Sequence, residues 1–301
     1  MTDLTVAIPT RNRPAKLARC LDALEAARKQ YPFELLVCDS STTVEMRTHV
    51  REACARYPHV RLVHHTGPNV AAARNACVQA SKTDLIVNVD DDVYIRPDAI
   101  ARLVSAYSAE SGPRVVAGSV AWGERWSRPV VTRLTGYGRD ARHGEEPDFL
   151  IGAFFLIPRA FGIAWPWNER VFANEDRMMG AVWRANGVRM LFAPDAKAVH
   201  DEEHNQYGLR HQEGHIYSLL LDSLILRPRP LRALAYEVLW FGAGAKVYCR
   251  DPQSTVRFLR TWYAGHRALI RDRKWLRRYR PGYVPVPRTR TSRPMLTVRA
   301  H

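Results

Sequence analysis

The sequence predicts an α/β fold, with a mostly parallel sheet flanked by helices and a helical, basic appendage at its C-terminal end. Three observations carry this. Strand-like and helix-like segments alternate through the first 120 residues, with short connections between them. From about residue 206 the pattern turns wholly helical. Charge is also partitioned along the chain: residues 205–301 hold 19 Lys+Arg against 5 Asp+Glu, whereas residues 1–204 hold 26 against 25. The net charge of +15 therefore belongs almost entirely to the C-terminal third, and the character of the chain changes near residue 204.

Taken in order, short β-branched or apolar runs at 4–8, 33–38, 60–64, 84–89 and 114–121 read as strands. Between the first two, Leu17, Cys20, Leu21 and Leu24 recur at helical spacing. Residues 43–56, 69–81 and 98–109 read as helices, and 149–158 (FLIGAFFLIP) as a buried strand. The C-terminal helices are HIYSLLLDSLIL, PLRALAYEVLWFGAGAKVYC and TVRFLRTWYAGHRALI, punctuated by Pro228, Pro230 and Pro252. Residues 281–301, rich in Pro, Arg and Thr, are expected to form an extended tail.

Hydrophobic content of 46% and charged content of 25% describe an ordinary globular protein. The five cysteines are scattered without CxxC spacing, which argues against a disulfide framework or a zinc site and fits a reducing compartment. The N-terminus has no basic and apolar leader, and no window approaches the roughly 18 apolar residues of a spanning helix. The expectation is a cytoplasmic protein.

In open parallel sheets, ligands bind beyond the carboxyl ends of the strands. PTRNRP follows the first strand, where a dinucleotide fold would carry GxGxxG. The stretch VNVDDDV places Asp90, Asp91 and Asp92 at the end of another strand. If that strand continues through them, Asp90 and Asp92 share a face with Cα atoms about 6.5 Å apart and Asp91 points away. Two carboxylates on one face suit a hard cation such as Mg²⁺ or Mn²⁺, which in turn binds a diphosphate. Alone, the stretch reads as a solvated acidic turn before the helix that follows Pro97 more readily than as a site.

The order of motifs resolves this. VAIPTRNRP, CDSS, AAARNA, VDDDV, IGAFFLIPR, NED and a late AVH together resemble the family-2 glycosyltransferases of GT-A fold, over about residues 3–204. The resemblance implies a GT-A catalytic domain over 1–204, with a helical subdomain over 205–280 and the tail beyond. It implies a metal-dependent, inverting transfer from a nucleotide-sugar donor to a hydroxyl acceptor. Asp39 then resembles the acid that accepts the uracil imide N–H. Pro9, Thr10 and Arg11 occupy the nucleoside-contacting loop, although Arg11 stands where many members have an aromatic residue. Arg74 and Asn75 would face the base or diphosphate, and Asp90 and Asp91 also join the nucleotide site. Asp92 and His200, with Asp90, resemble the metal site for Mn²⁺ or Mg²⁺. Of the NED stretch, Asp176 resembles the catalytic base and Glu175 its neighbour. Gly152, Ala153 and Trp122 would line the donor or acceptor sugar. Trp126, Trp165 and Trp167 either share that role or pack in the core.

A carboxylate at 39 suits UDP, and thymine presents the same imide edge. The acceptor stays open among a glycan, a lipid-linked sugar and a small metabolite. The basic helices read as a subdomain beside the catalytic core or as peripheral contact with a membrane surface. Nucleic acid ranks last, since no recognised module for it is present. A nucleotidyltransferase is the rival enzyme class, but PTRNRP lacks its glycines. A basic, surface-binding protein that merely holds a nucleotide is the non-catalytic rival.

Overall fold

The computed structural model describes residues 4–171, 173–201 and 209–281. Most of the expected tail, from residue 282 on, lies outside them, as does the start of the expected helical subdomain at 205–208. Along the chain the elements run β1 (Leu4–Thr10), α1 (Pro14–Arg28), β2 (Glu34–Asp39), α2 (Val44–Ala55), β3 (Val60–His64), α3 (Val70–Ala80), β4 (Leu85–Val89), β5 (Val93–Ile95), α4 (Ala99–Ser108), β6 (Arg114–Trp122) and β7 (Arg125–Trp126). They continue with β8 (Val130–Thr132), β9 (Gly138–Asp140), β10 (Phe154–Pro158), α5 (Arg159–Ala164), α6 (Glu175–Ala185), β11 (Arg189–His200), α7 (Leu209–Leu220), α8 (Pro230–Tyr248) and α9 (Pro252–Leu276). These divide into two compact units: 1–128, 150–170 and 190–205 form one, and 129–149, 171–189 and 206–301 the other.

The first unit is built on a sheet in the order β3-β2-β1-β4-β10-β6-β11-β5, with β7 beside β6. Strands β3, β2, β1 and β4 are mutually parallel, and β10 enters antiparallel between β4 and β6, so β6 runs with the parallel set. The chain builds outward from β1 through β2 to β3, then returns to place β4 on the other side of β1. That reversal makes β1/β4 the switch point, where open α/β sheets leave a crevice at the carboxyl ends.

Both faces of the central parallel strands are covered, so every residue of β1 is buried. Helix α1 starts at Pro14, whose fixed φ suits the first turn, and buries Leu17, Cys20, Leu21, Leu24 and Ala27 on one stripe. That stripe joins Val6, Ile8, Val37, Val87 and Val89 in the main core. Full burial of each leucine contributes about 2 kcal/mol. The Thr43 and Asn69 side chains accept N–H bonds from Met46 and Ala72, capping α2 and α3 and fixing where both begin.

The sequence pattern and the structure differ at several strands. Strand 149–158 shortens to Phe154–Pro158, since Gly152 and Ala153 turn their carbonyls into the site described below. Strands β5 and β11 are absent from the pattern but pair antiparallel, with His200 level with Val93.

The second unit carries the two-stranded β8–β9 sheet and the helices α6, α7, α8 and α9. Helix α7 widens into a π-helical turn over Leu221–Leu226. A Cβ on Gly265 would stand 3.1 Å from the Glu213 carbonyl and from Ile216, so α9 approaches α7 closely there. Helices α8 and α9 are tied by Glu237, which accepts from Trp262 Nε1 at 3.1 Å and pairs with His266 Nε2 at 2.6 Å. Among the described residues, no helix is long and apolar enough to cross a membrane.

Candidate active site

Sheet register levels three residues at the carboxyl edge. Thr10 is the Cα partner of Asp39, and Asp39 is the partner of His64. Asp39 is buried; its Oδ1 accepts the Ser41 N–H at 2.8 Å, while Oδ2 faces His64 Nδ1 at 3.7 Å. The two loops beyond these strands are locked together. Asn12 takes the left-handed conformation (φ +56°), receives Thr42 N–H on Oδ1 at 2.9 Å and donates its own N–H to Ser41 Oγ at 2.9 Å. Arg11 is exposed and donates to the Pro68 carbonyl at 2.8 Å, which ties the first loop to the segment before α3.

The three aspartates do not continue the strand. β4 stops at Val89, and a Val93 N–H to Asp90 carbonyl bond of 3.0 Å closes a turn over them. The expectation of a shared face for Asp90 and Asp92 is corrected by that turn, which sends the carboxylates in separate directions. Asp90 receives Arg74 Nη2 at 2.8 Å, and the same nitrogen donates to the Gly152 carbonyl at 2.8 Å. Arg74 is thus a buried guanidinium fastened beneath the turn and stacked over Phe155. The Asp90 N–H donates to the Ala153 carbonyl at 3.0 Å, so Gly152 and Ala153 hold the turn through their backbone.

Asp91 is fully buried, receives the Thr10 hydroxyl at 2.7 Å and pairs with Arg13 Nη2 at 2.6 Å. Burial pushes its carboxyl up to about 7, aided by the charges of Asp92 and Asp90 and opposed by Arg13 and the Thr10 hydroxyl. The other arm of Arg13 reaches Asp92 Oδ2 at 2.6 Å. Burial alone would lower the Arg13 guanidinium, but the charges of Asp91, Asp92 and Asp90 outweigh it and hold it above its ordinary value.

Asp92 Oδ1 faces His200 Nε2 at 3.5 Å. His200 Nδ1 stands 3.1 Å from the Asp201 carbonyl, which can only accept, so this nitrogen carries an N–H and Nε2 is the atom turned toward Asp92. An imidazole nitrogen this near a carboxylate oxygen can share a proton with it or, when neutral, bind a cation together with it. A divalent ion held by one carboxylate and one imidazole, completed by diphosphate oxygens and water, fits this pair. Among the described residues no group of three or more His, Cys, Asp or Glu side chains forms a metal cage. The Trp122 ring stacks on His200 with centroids 5.2 Å apart and fixes its plane.

Other expected site residues carry structural bonds. Asn75 donates to the Trp167 carbonyl and Glu169 Oε1, and accepts the Trp167 N–H, which pins residues 167–169 against α3. Pro9 is buried within β1. Trp165 and Trp167 are core residues. Glu175 and Asp176 lie in the second unit and open α6, directly after Asn174, whose φ of +61° marks a strained entry to the helix. Asp176 Oδ1 accepts the Arg177 N–H at 2.7 Å. Sequence reasoning passed over Arg13, Asn12, Ser41 and His64; the polar run TRNR was the available signal for the first two.

Comparison with known proteins agrees with this architecture. The profile of the glycosyl transferase family 2 matches residues 5–161. The chondroitin synthase of Escherichia coli is 26% identical over 99 residues, which is 32% of this chain and 14% of that protein. The chain therefore matches about one seventh of the length of that relative. Among solved structures, the mannosyltransferase PcManGT from Pyrobaculum calidifontis, in complex with GDP-Man and Mn²⁺, superposes with a TM-score of 0.52 at 18% identity, covering 91% of this chain and 87% of that one. TarS 1–349 of S. aureus in complex with UDP-GlcNAc gives 0.60 at 12% identity, with 91% and 88% covered. At such identity these likenesses establish a shared fold, the GT-A arrangement.

Proposed function

We propose that this chain, which belongs to glycosyl transferase family 2, carries out a metal-dependent, inverting transfer from a UDP-sugar to a hydroxyl acceptor, with catalysis residing in residues 1–204. The observation that carries this reading is the meeting of Thr10, Asp39, Arg74 and the Asp90–Asp92 turn at the β1/β4 switch point. Asp39 Oδ2, turned away from the Ser41 bond, suits the imide N–H of uracil. Guanine also presents N–H donors on its pairing edge, so GDP is the competitor to be tested. Arg74 fixes Asp90 and the Gly152 carbonyl, and so shapes the floor beneath the ribose and donor sugar. Asp92 and His200 would hold Mn²⁺ or Mg²⁺, which when bound neutralises charge on the departing diphosphate. Asp176 takes the proton of the attacking acceptor hydroxyl, and Glu175 beside it orients that acid or the acceptor.

A contact between the C-terminal helices and an anionic membrane surface belongs to the same proposal. The outward side of α8 carries Leu231, Leu234, Val238 and Leu239, all exposed. On α9, exposed Val256, Leu259, Tyr263 and Ile270 form a stripe at helical spacing, and Arg260, Arg267 and Arg271 follow beside it. Apolar stripes flanked by arginines suit an anionic lipid interface, whereas two copies of such a face would bring like charges together. Sedimentation with vesicles of neutral or anionic lipid tests it: retention only by anionic vesicles, lost in Val238→Glu, is expected.

The test of the central proposal is a thermal-shift panel of UDP, dTDP, GDP and CDP with and without Mn²⁺. Stabilisation by UDP that requires metal is expected, and indifference to every nucleotide overturns the reading. Asp176→Asn should abolish turnover while nucleotide binding persists; full activity in that variant removes Asp176 as the base.

A further inference from the structure

We propose that Arg13 is a positioning residue for the candidate metal site, holding Asp92 through Oδ2 so that Oδ1 stays turned toward His200. The inference rests on the metal reading above and concerns a residue which that reading does not use.

The geometry divides Asp92 between two partners. Its Oδ2 takes Arg13 Nη1 at 2.6 Å, and its Oδ1 faces His200 Nε2 at 3.5 Å. The guanidinium is also drawn toward Asp91 by an ion pair, Nη2 to Asp91 Oδ1 at 2.6 Å. Asp91 is anchored in turn, fully buried and bonded through Oδ2 to the Thr10 hydroxyl. A fixed chain of contacts thus runs from the end of β1 through Asp91 and Arg13 to Asp92 and His200. Each carboxylate presents a separate oxygen to the fork, and a planar guanidinium can serve both at once, which an ammonium cannot. An ion held by Asp92 Oδ1 and His200 would leave the Arg13 hydrogen bond to Oδ2 in place.

The competing account makes Arg13 a counter-charge that an incoming cation must displace. The two accounts differ in sign. Outer partners that orient a ligand cost about 10–100-fold in metal affinity when removed. Removing a competing positive charge raises affinity instead.

The experiment titrates Mn²⁺ alone into metal-free protein, reading free Mn²⁺ by electron paramagnetic resonance. Proteins compared are the wild type, Arg13→Gln, Arg13→Lys, Asp91→Asn and Asp92→Asn, with folding followed by circular dichroism. Arg13→Gln is expected to weaken Mn²⁺ binding about 10–100-fold. Arg13→Lys should fall between it and the wild type. Asp91→Asn, which keeps the Arg13 charge but loosens its aim, should weaken binding as well. If Arg13→Gln fails to fold, the Lys and Asn variants carry the same comparison. Equal or tighter binding in Arg13→Gln and Asp91→Asn, with Asp92→Asn still abolishing it, overturns the Arg13 proposal alone. Absence of Mn²⁺ binding in the wild type overturns the metal reading, and this proposal with it.

Discussion

Asp91 couples the candidate site to pH, and the coupling has a calculable size. Its carboxyl sits at about 7 in the folded chain against an ordinary 3.8, chiefly because it is fully buried. A carboxyl raised in the folded state binds its proton more tightly there than when unfolded. Its contribution to stability is therefore complete below about pH 4 and is lost as pH rises through 7. A difference of about three units, at 1.36 kcal/mol each, amounts to roughly 4 kcal/mol. Asp91→Asn keeps the size of the side chain and removes the titration. Urea unfolding of both proteins in the presence of chelator, at intervals from pH 4 to pH 7.5, gives the stability difference at each pH. The wild type should lose roughly 4 kcal/mol relative to the variant across that range. Parallel curves would refute the reasoning, for they would mean that Arg13 and Thr10 keep Asp91 ionised throughout.

Three further outcomes are expected. Gly118→Ala should lower stability by about 1–3 kcal/mol, because a Cβ there would lie 2.4 Å from Phe154 Cδ1 and 2.6 Å from the Ala196 carbonyl; thermal unfolding measures it. Asn75→Ala should cost about 1–3 kcal/mol by leaving the backbone of Trp167 without its two partners. Unchanged stability with weakened nucleotide binding in that variant would make Asn75 a ligand contact instead. Asp39→Asn should weaken UDP binding about tenfold by calorimetry, because the amide is a poorer acceptor for an imide N–H than the carboxylate; unchanged affinity removes Asp39 from the base site.

Much of the fold was legible because it is local. Leu17, Cys20, Leu21 and Leu24 announce α1, and β-branched runs announce the four parallel strands whatever lies elsewhere. β11 was not legible: Pro194 and Asp195 interrupt its pattern, and it is held as a strand by its neighbours β6 and β5, both distant in sequence. The fate of the three aspartates was misread for a related reason. Three polar residues after an apolar run look alike whether the strand continues or turns, and the turn is held by bonds to Ala153 and Arg74.

The sequence by itself determined the alternation of elements, the site-bearing strand ends and, through the order of its motifs, the family. Those follow from side-chain period and residue type, which are properties of short stretches. Only the tertiary structure decided how the carboxylates are shared: Asp90 to Arg74, Asp91 to Thr10 and Arg13, Asp92 to Arg13 and His200. The charge that neutralises an aspartate comes from whichever strand end or helix the topology sets beside it. Arg13 stands 78 residues from Asp91 in the chain and 2.6 Å from it in the fold.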